Sequence, residues 1–257
     1  MKKLIYVYGV GRSGTTLIGQ VLGSPSGIRC VGEFAGFTTL DDLSRPEDEK
    51  AEDVRDLPCG CGRNPMECEE NALNLYLKKF SLFKVRKWFS NKSFRLPPEY
   101  TVAEYLKSIK CIYDHFDEEI IIDTSKNPKL YYMMKRSPVF KDYEVNGVFI
   151  YRDLREVWKS WRKEKSYLKQ KSRLSTLKHM TGQLFWCTAV YLSFSRTDLF
   201  INFNSFRKNP VKYFELFNDQ LGLDIVYSDR EIHVNGQNHE VAGNPSKLEG
   251  GQKIIVT

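Results

Sequence analysis

Long apolar runs are missing from this 257-residue chain. The most apolar long stretch, Gln183–Ser195 (QLFWCTAVYLSFS), falls short of the ~20 residues that span a bilayer as a helix, and it reads as a buried helix instead. The amino terminus carries Lys2 and Lys3, but only Leu4–Tyr8 is apolar before glycines intervene. An export signal needs a longer apolar core and a small-residue cleavage site. A strong charge imbalance is absent too: 39 Lys and Arg against 32 Asp and Glu leave +7. That excess favours anionic ligands without pointing to nucleic acid. Histidine is scarce, with four in the chain, and no internal repeat or low-complexity segment occurs. Six cysteines without an export signal fit a reduced, cytoplasmic setting better than a disulfide scaffold.

What is present is core-forming material. Hydrophobic residues make up 41% of the chain, with 16 Phe and 14 Tyr, which excludes disorder as the dominant state. Leu4–Tyr8 (LIYVY) is a continuous β-prone run of the kind buried in a parallel sheet. A glycine loop, Gly9–Gly14, follows it, then a helix over about Thr15–Leu22 stopped by Gly23-Ser24-Pro25. Further strands are expected at Ile28–Gly32, Glu119–Asp123, Val145–Tyr151 and Leu199–Phe203, and the tail from Ser228 reads as loop. Leu154, Val157, Trp158 and Trp161 mark one face of a helix after the fourth strand. Strands alternating with helices predict an α/β fold with a mostly parallel central sheet of about five strands. The stretch from about 35 to 117 reads as a helical, cysteine-containing insertion within a single domain spanning 1–257.

In such a sheet ligands sit at the carboxyl ends of the strands, and the chemistry-bearing motifs all fall there. Gly9-Val10-Gly11-Arg12-Ser13-Gly14-Thr15-Thr16 supports three readings. As G-x-G-x-x-G it matches a dinucleotide loop, with Glu33 placed to bind a ribose, which would make the protein an NAD(P)- or flavin-linked oxidoreductase. As G-x-x-x-x-G it resembles a nucleoside-triphosphate loop, and Ile120–Asp123 would supply the magnesium-binding acid of a nucleotide kinase. Thr15, however, stands where that loop needs lysine. The third reading puts the cation inside the loop at Arg12. Ser13, Gly14, Thr15 and Thr16 then offer N–H and hydroxyl donors at a helix N-terminus. A bulky cation and successive hydroxyls suit a terminal anionic group better than a pyrophosphate approached by bare backbone. A purely structural turn, and a nucleotide-binding module without catalysis, are the non-enzymatic readings.

GRSGTTL after a first strand resembles the 5′-phosphosulfate loop of sulfotransferases that use 3′-phosphoadenosine-5′-phosphosulfate (PAPS), in the Arg version similar to carbohydrate, tyrosylprotein and bacterial members. The resemblance continues downstream. Arg152 at a strand end and Ser160 eight residues later look like the 3′-phosphate pair. Eight helical residues climb about 12 Å, so a long Arg reaching from before the helix would have to meet a Ser two turns in. Asp123-Thr124-Ser125-Lys126 looks like the turn that brings Lys126 to the transferring sulfonate, with Ser125 beside it. Gly243, Asn244 and Lys247 are similar to a late segment that closes over the nucleotide, with lysine where arginine is more usual. The family continues into a final helix, whereas ten residues follow Lys247 here. The resemblance implies a P-loop-like three-layer fold and transfer of a sulfuryl group from PAPS to a hydroxyl acceptor.

Under that resemblance Arg12 and Lys126 stabilise the leaving phosphate, no metal is required, and Glu33 is the candidate base at a Gly-Glu turn. A structural carboxylate pairing Arg29 or Arg12 is the alternative for Glu33, and His115 and His239 are the other candidate bases. Cys59, Cys61 and Cys68 form C-x-C-x6-C, one ligand short of a structural zinc site, and are read as free thiols rather than a metal site or a disulfide. Lys78–Arg95 and Arg162–Lys178, the latter with seven cations against Glu164 alone, read as solvated helix faces or as a groove for an anionic, hydroxyl-bearing acceptor. No motif supports nucleic acid as a partner.

Overall fold

The computed structural model describes residues 1–37, 59, 61, 63–64, 67–79, 101–162, 173–233 and 253–255. Its centre is β1 (Lys2–Gly9), the run read as a buried strand. Leu4, Ile5, Tyr6, Val7 and Tyr8 are all fully buried, because both faces of this strand are covered. Around it lie β2 (Ile28–Gly32), β3 (Ile120–Lys126), β4 (Tyr143–Tyr151) and β5 (Leu199–Asn202) in the order β2-β3-β1-β4-β5. Every neighbouring pair is parallel.

Alternate residues of β1 feed two cores. Leu4, Tyr6 and Tyr8 share one cluster with α2 (Phe34–Phe37), α3 (Ala72–Lys79), α4 (Val102–Tyr113), α5 (Pro128–Arg136) and part of α7 (Arg173–Phe194). Ile5 and Val7 share the other with α1 (Thr15–Leu22), α8 (Phe203–Lys208) and α9 (Pro210–Leu221). Burial of each Leu- or Ile-sized side chain contributes ~1.5–3 kcal/mol, so the strand's strict alternation fixes the helix–sheet–helix layering. Local signals agree with this packing. A capping box, Thr101 with Glu104, starts α4, and Asn127 with Pro128 at N1 starts α5.

Four expectations need correction. β3 does not turn at Asp123 but runs on to Lys126, with a register shift that sets Lys126 opposite Tyr8. β5 ends at Asn202, whose side chain caps α8, so Phe203 begins a helix. The tail is not all loop: β6 (Tyr227–Ser228), β7 (Glu231–His233) and β8 (Lys253–Ile255) form an antiparallel sheet. The apolar stretch in α7 is not buried all round either. Thr176, Met180, Cys187 and Val190 face inward, while Phe185 and Leu192 are each 67% exposed. None of the described helices is long and apolar enough to cross a membrane.

Candidate active site at the carboxyl edge of the sheet

β1 is flanked by β3 on one side and β4 on the other, so the chain's crossovers run in opposite directions from it. The glycine loop leaves β1 at that switch point. Arg12 (φ 69) and Gly14 (φ 97) both take left-handed backbone conformations, which fold the loop back under the start of α1. Gly14 has a second constraint, since a Cβ there would overlap the Phe203 ring. As N-cap it provides no side-chain acceptor to α1, so the first N–H groups of the helix are left to an incoming anion. Ser13 N–H is used within the loop, to Val10 O at 3.0 Å. Ser13 Oγ is buried and without a hydrogen-bond partner among the described residues. Thr15 is buried, Thr16 partly so, and Arg12 is exposed. Gly11 N–H donates to Gln183 Oε1 of α7 at 3.1 Å, and Trp161 of α6 (Leu154–Trp161) packs against Gly11.

Glu33 follows the left-handed Gly32 (φ 66) at the end of β2. Its carboxylate forms an ion pair with Lys126, the last residue of β3. Lys126 also has a positive φ, 63°, which is costly for a residue with a Cβ, roughly 1–3 kcal/mol. The register shift and this backbone turn aim the lysine across to Glu33. Arg29 is not the partner of Glu33: it pairs with Glu118 at 2.8 Å and Glu70 at 2.9 Å. Beneath this edge Asp123 is fully buried and accepts from Tyr113 Oη at 2.8 Å, Ala35 N at 3.1 Å and Ser125 N at 2.8 Å. Burial pushes its carboxyl up to about 6, although those hydrogen bonds pull the other way. Ser125 is buried beside it.

Arg152 leaves the end of β4 and donates from Nη1 to Arg12 O at 3.2 Å, tying the fourth strand to the glycine loop. It also pairs with Glu156 at 2.9 Å and lies over the Phe203 ring, 5.2 Å from its centroid. Ser160 sits near the far end of α6, partly buried, and no described contact joins it to Arg152. Next to Arg152 is a cavity of about 440 Å³ lined by Glu156, Asn204, Arg207, Lys208 and Arg230. Sequence reading missed Phe203, Gln183 and the cations of this cavity. Only the basic pair Arg207-Lys208 after a strand end hinted at it.

The structure thus brings the Gly11–Thr16 loop, Glu33, Ser125, Lys126 and Arg152 to one edge of the sheet. Gly243, Asn244 and Lys247 lie outside the described residues, as do residues 80–100 and 163–172, which carry most of the two basic stretches, and His239. His115 is exposed beyond α4, at the amino end of β3, where its ring meets Phe116. It is on the wrong edge to serve as a base. Two rival readings lose their geometry. A Rossmann sheet sets β2 beside β1, in the order 3-2-1-4, whereas here β3 occupies that place and Glu33 is held by Lys126. Asp123, the acid a kinase would need for magnesium, is buried and committed to three donors.

No protein-family model matches the chain, and a search of curated proteins returns no match. Solved structures do match. The sulfotransferase domain from the curacin biosynthetic pathway is similar over 98% of this chain and 84% of its own, with a TM-score of 0.54 at 11% identity. The sulfotransferase domain from the Synechococcus PCC 7002 olefin synthase aligns over 98% of this chain and 85% of its own, with a TM-score of 0.47 at 16% identity. The curacin domain's likeness shows the fold: an α/β architecture of the sulfotransferase type, as the glycine-loop motif implies.

Proposed function

We propose that the protein transfers a sulfuryl group from PAPS, its donor substrate, to a hydroxyl of an acceptor. The observation that carries this reading is that Arg12, the Glu33–Lys126 ion pair and Arg152 share one edge of a sulfotransferase-type sheet, at the switch point where the glycine loop leaves β1. The donor's 5′-phosphosulfate suits the amides at the start of α1, the buried Ser13 hydroxyl and the exposed Arg12 guanidinium. Its 3′-phosphate suits Arg152 and the cations of the adjoining cavity, with Ser160, Gly243, Asn244 and Lys247 assigned there by motif.

The acceptor oxygen attacks sulfur as the S–O bond to the 5′-phosphate breaks. Glu33 takes the acceptor's proton, and the negative charge left on the phosphate is stabilised by Lys126 and Arg12. The ion pair between Glu33 and Lys126 couples these roles. A donor anion competes with the carboxylate for the ammonium, which leaves Glu33 free to hydrogen-bond the acceptor's hydroxyl. The acceptor class is read from the two basic stretches of the sequence, Lys78–Arg95 and Arg162–Lys178: a hydroxyl compound, anionic in character, with a cytoplasmic location assigned from cysteine usage. A thermal-shift panel tests the reading. 3′,5′-Bisphosphoadenosine should raise the melting temperature, while ATP with magnesium and NADP should do so less. No shift with the first and a clear one with either of the others overturns it.

A further inference from the structure

The three thiols on the polar turn before α3 find one another. Cys68 Sγ lies 3.7 Å from Cys59 Sγ and 3.8 Å from Cys61 Sγ, and all three sulfurs fall within 4.8 Å. Backbone bonds hold them there: Cys59 N–H donates to Arg63 O at 2.9 Å, and Cys68 N–H to Asn64 O at 3.0 Å. Asn74 Nδ2 adds a third restraint, donating to Cys68 O at 2.9 Å. We propose that Cys59, Cys61 and Cys68 together bind one zinc ion.

Three observations favour the metal. Thiolates sharing a tetrahedral zinc at bond lengths near 2.3 Å stand about 3.8 Å apart, which is the spacing of both measured pairs. A disulfide needs ~2.05 Å, and with Cys68 at almost the same distance from each of the others, neither pairing is singled out. The third observation is Asn71, which is fully buried and faces Cys59. Its Oδ1 accepts from Leu73 N at 3.0 Å and from Asn74 N at 3.4 Å, capping α3. Its side chain also serves as a hydrogen-bond donor to the Cys59 sulfur. A metal-bound thiolate offers that donor a stronger acceptor than a neutral thiol does. Cys59 and Cys68 are buried and Cys61 is exposed. Binding exchanges three S–H protons, released to solvent, for three Zn–S bonds, and nothing is oxidised or reduced.

The ion's role follows from what α3 holds. Tyr76 meets the Phe34 ring edge-on at 5.7 Å and its hydroxyl lies 3.3 Å from Ser108 Oγ of α4. Phe34 directly follows Glu33. A zinc clamp before α3 therefore braces the wall against which the Glu33 turn is built.

Metal analysis of the full chain, purified under reducing conditions, tests the site. About one zinc per chain is expected, falling to near zero in Cys68→Ser and Cys61→Ser and unchanged in Cys111→Ser. Stripped protein should regain about one equivalent of zinc, and cobalt in its place should give thiolate-to-metal charge-transfer absorption. Cys61 is exposed, so its serine variant keeps the test interpretable if Cys68→Ser fails to fold by circular dichroism. Failure of the reduced protein to take up zinc or cobalt would overturn the proposal. So would zinc content that survives Cys61→Ser, or a Cys59–Cys68 disulfide in non-reducing peptide mapping. None of these outcomes depends on sulfuryl transfer.

Discussion

Asp198, at the amino end of β5, is buried and accepts from Tyr131 Oη at 2.6 Å, Tyr8 Oη at 3.1 Å, Lys135 Nζ at 3.2 Å and Gly147 N at 3.3 Å. Its donors come from β1, β4 and α5, and Gly147 leaves room for both the carboxylate and Tyr131. At the carboxyl ends of the same strands the polar groups are arranged otherwise. Ser13 Oγ is buried without a partner among the described residues. Arg12 and Lys126, two of the three described non-glycine residues with positive φ, stand there together. One end of the sheet satisfies its polar groups from within. The other leaves the Ser13 hydroxyl unpaired among the described residues and holds Arg12 and Lys126 in strained backbone conformations.

The sharpest way to break that comparison is to remove a group on each side. Glu33→Gln should lower the rate of PAPS-dependent transfer by about 10²–10⁴ with little change in melting temperature, measured with any acceptor that supports turnover. A comparable drop in stability instead would make Glu33 a structural carboxylate. Asp198→Ala should do the reverse. Unfolding in urea should show a loss of about 3–5 kcal/mol, because the Lys135 ammonium is left without its buried partner, while 3′,5′-bisphosphoadenosine affinity of the folded fraction stays near wild type.

Asp123 lies beneath the ligand edge yet has three donors, so it belongs to the scaffold despite its position. Its carboxyl is raised from 3.8 to about 6 by burial. Between those values the folded state holds a proton that the unfolded state has released. The contribution of Asp123 to stability is therefore greatest at low pH and falls by up to about 3 kcal/mol as pH rises from about 4 to about 6. The difference in unfolding free energy between wild type and Asp123→Asn should shift against the wild type across that window and be flat above it. A difference independent of pH would contradict the assignment. The smallest effect is expected at Gly14→Ala. Its φ of 97° and the Phe203 ring oppose a methyl group, so stability should fall by roughly 1–3 kcal/mol, with anion binding weakened in parallel.

Much of the ligand edge could be read in the sequence because its signals are local. The β1 run, the glycines, Arg12 and the Gly32-Glu33 turn are short stretches whose chemistry is set by immediate neighbours. The strand order was not legible, since alternation of strands and helices does not say whether β2 or β3 lies beside β1, and that choice separates this sheet from a Rossmann one. Phe203, Gln183 and the Arg207, Lys208 and Arg230 cavity reach the site only through tertiary packing. The same limit explains α7, whose apolar residues look buried by composition. Its inward face is decided by what the helix lies against, and Lys129, 4.4 Å over the Trp186 ring, covers part of the outward one. The cysteine turn was read as free thiols for want of a fourth ligand. Backbone bonds that the spacing does not reveal bring the three sulfurs together.

The proposed donor site holds two phosphates separately, one on the Arg12 loop and one beside Arg152. Calorimetric titration of 3′,5′-bisphosphoadenosine against 5′-AMP, on the wild type and on Arg152→Ala, measures this directly. The bisphosphate should bind at least about tenfold tighter than the monophosphate, a difference near 1.4 kcal/mol, and Arg152→Ala should erase the preference. Equal affinity for the two nucleotides in the wild type, or a preference that survives Arg152→Ala, would contradict it.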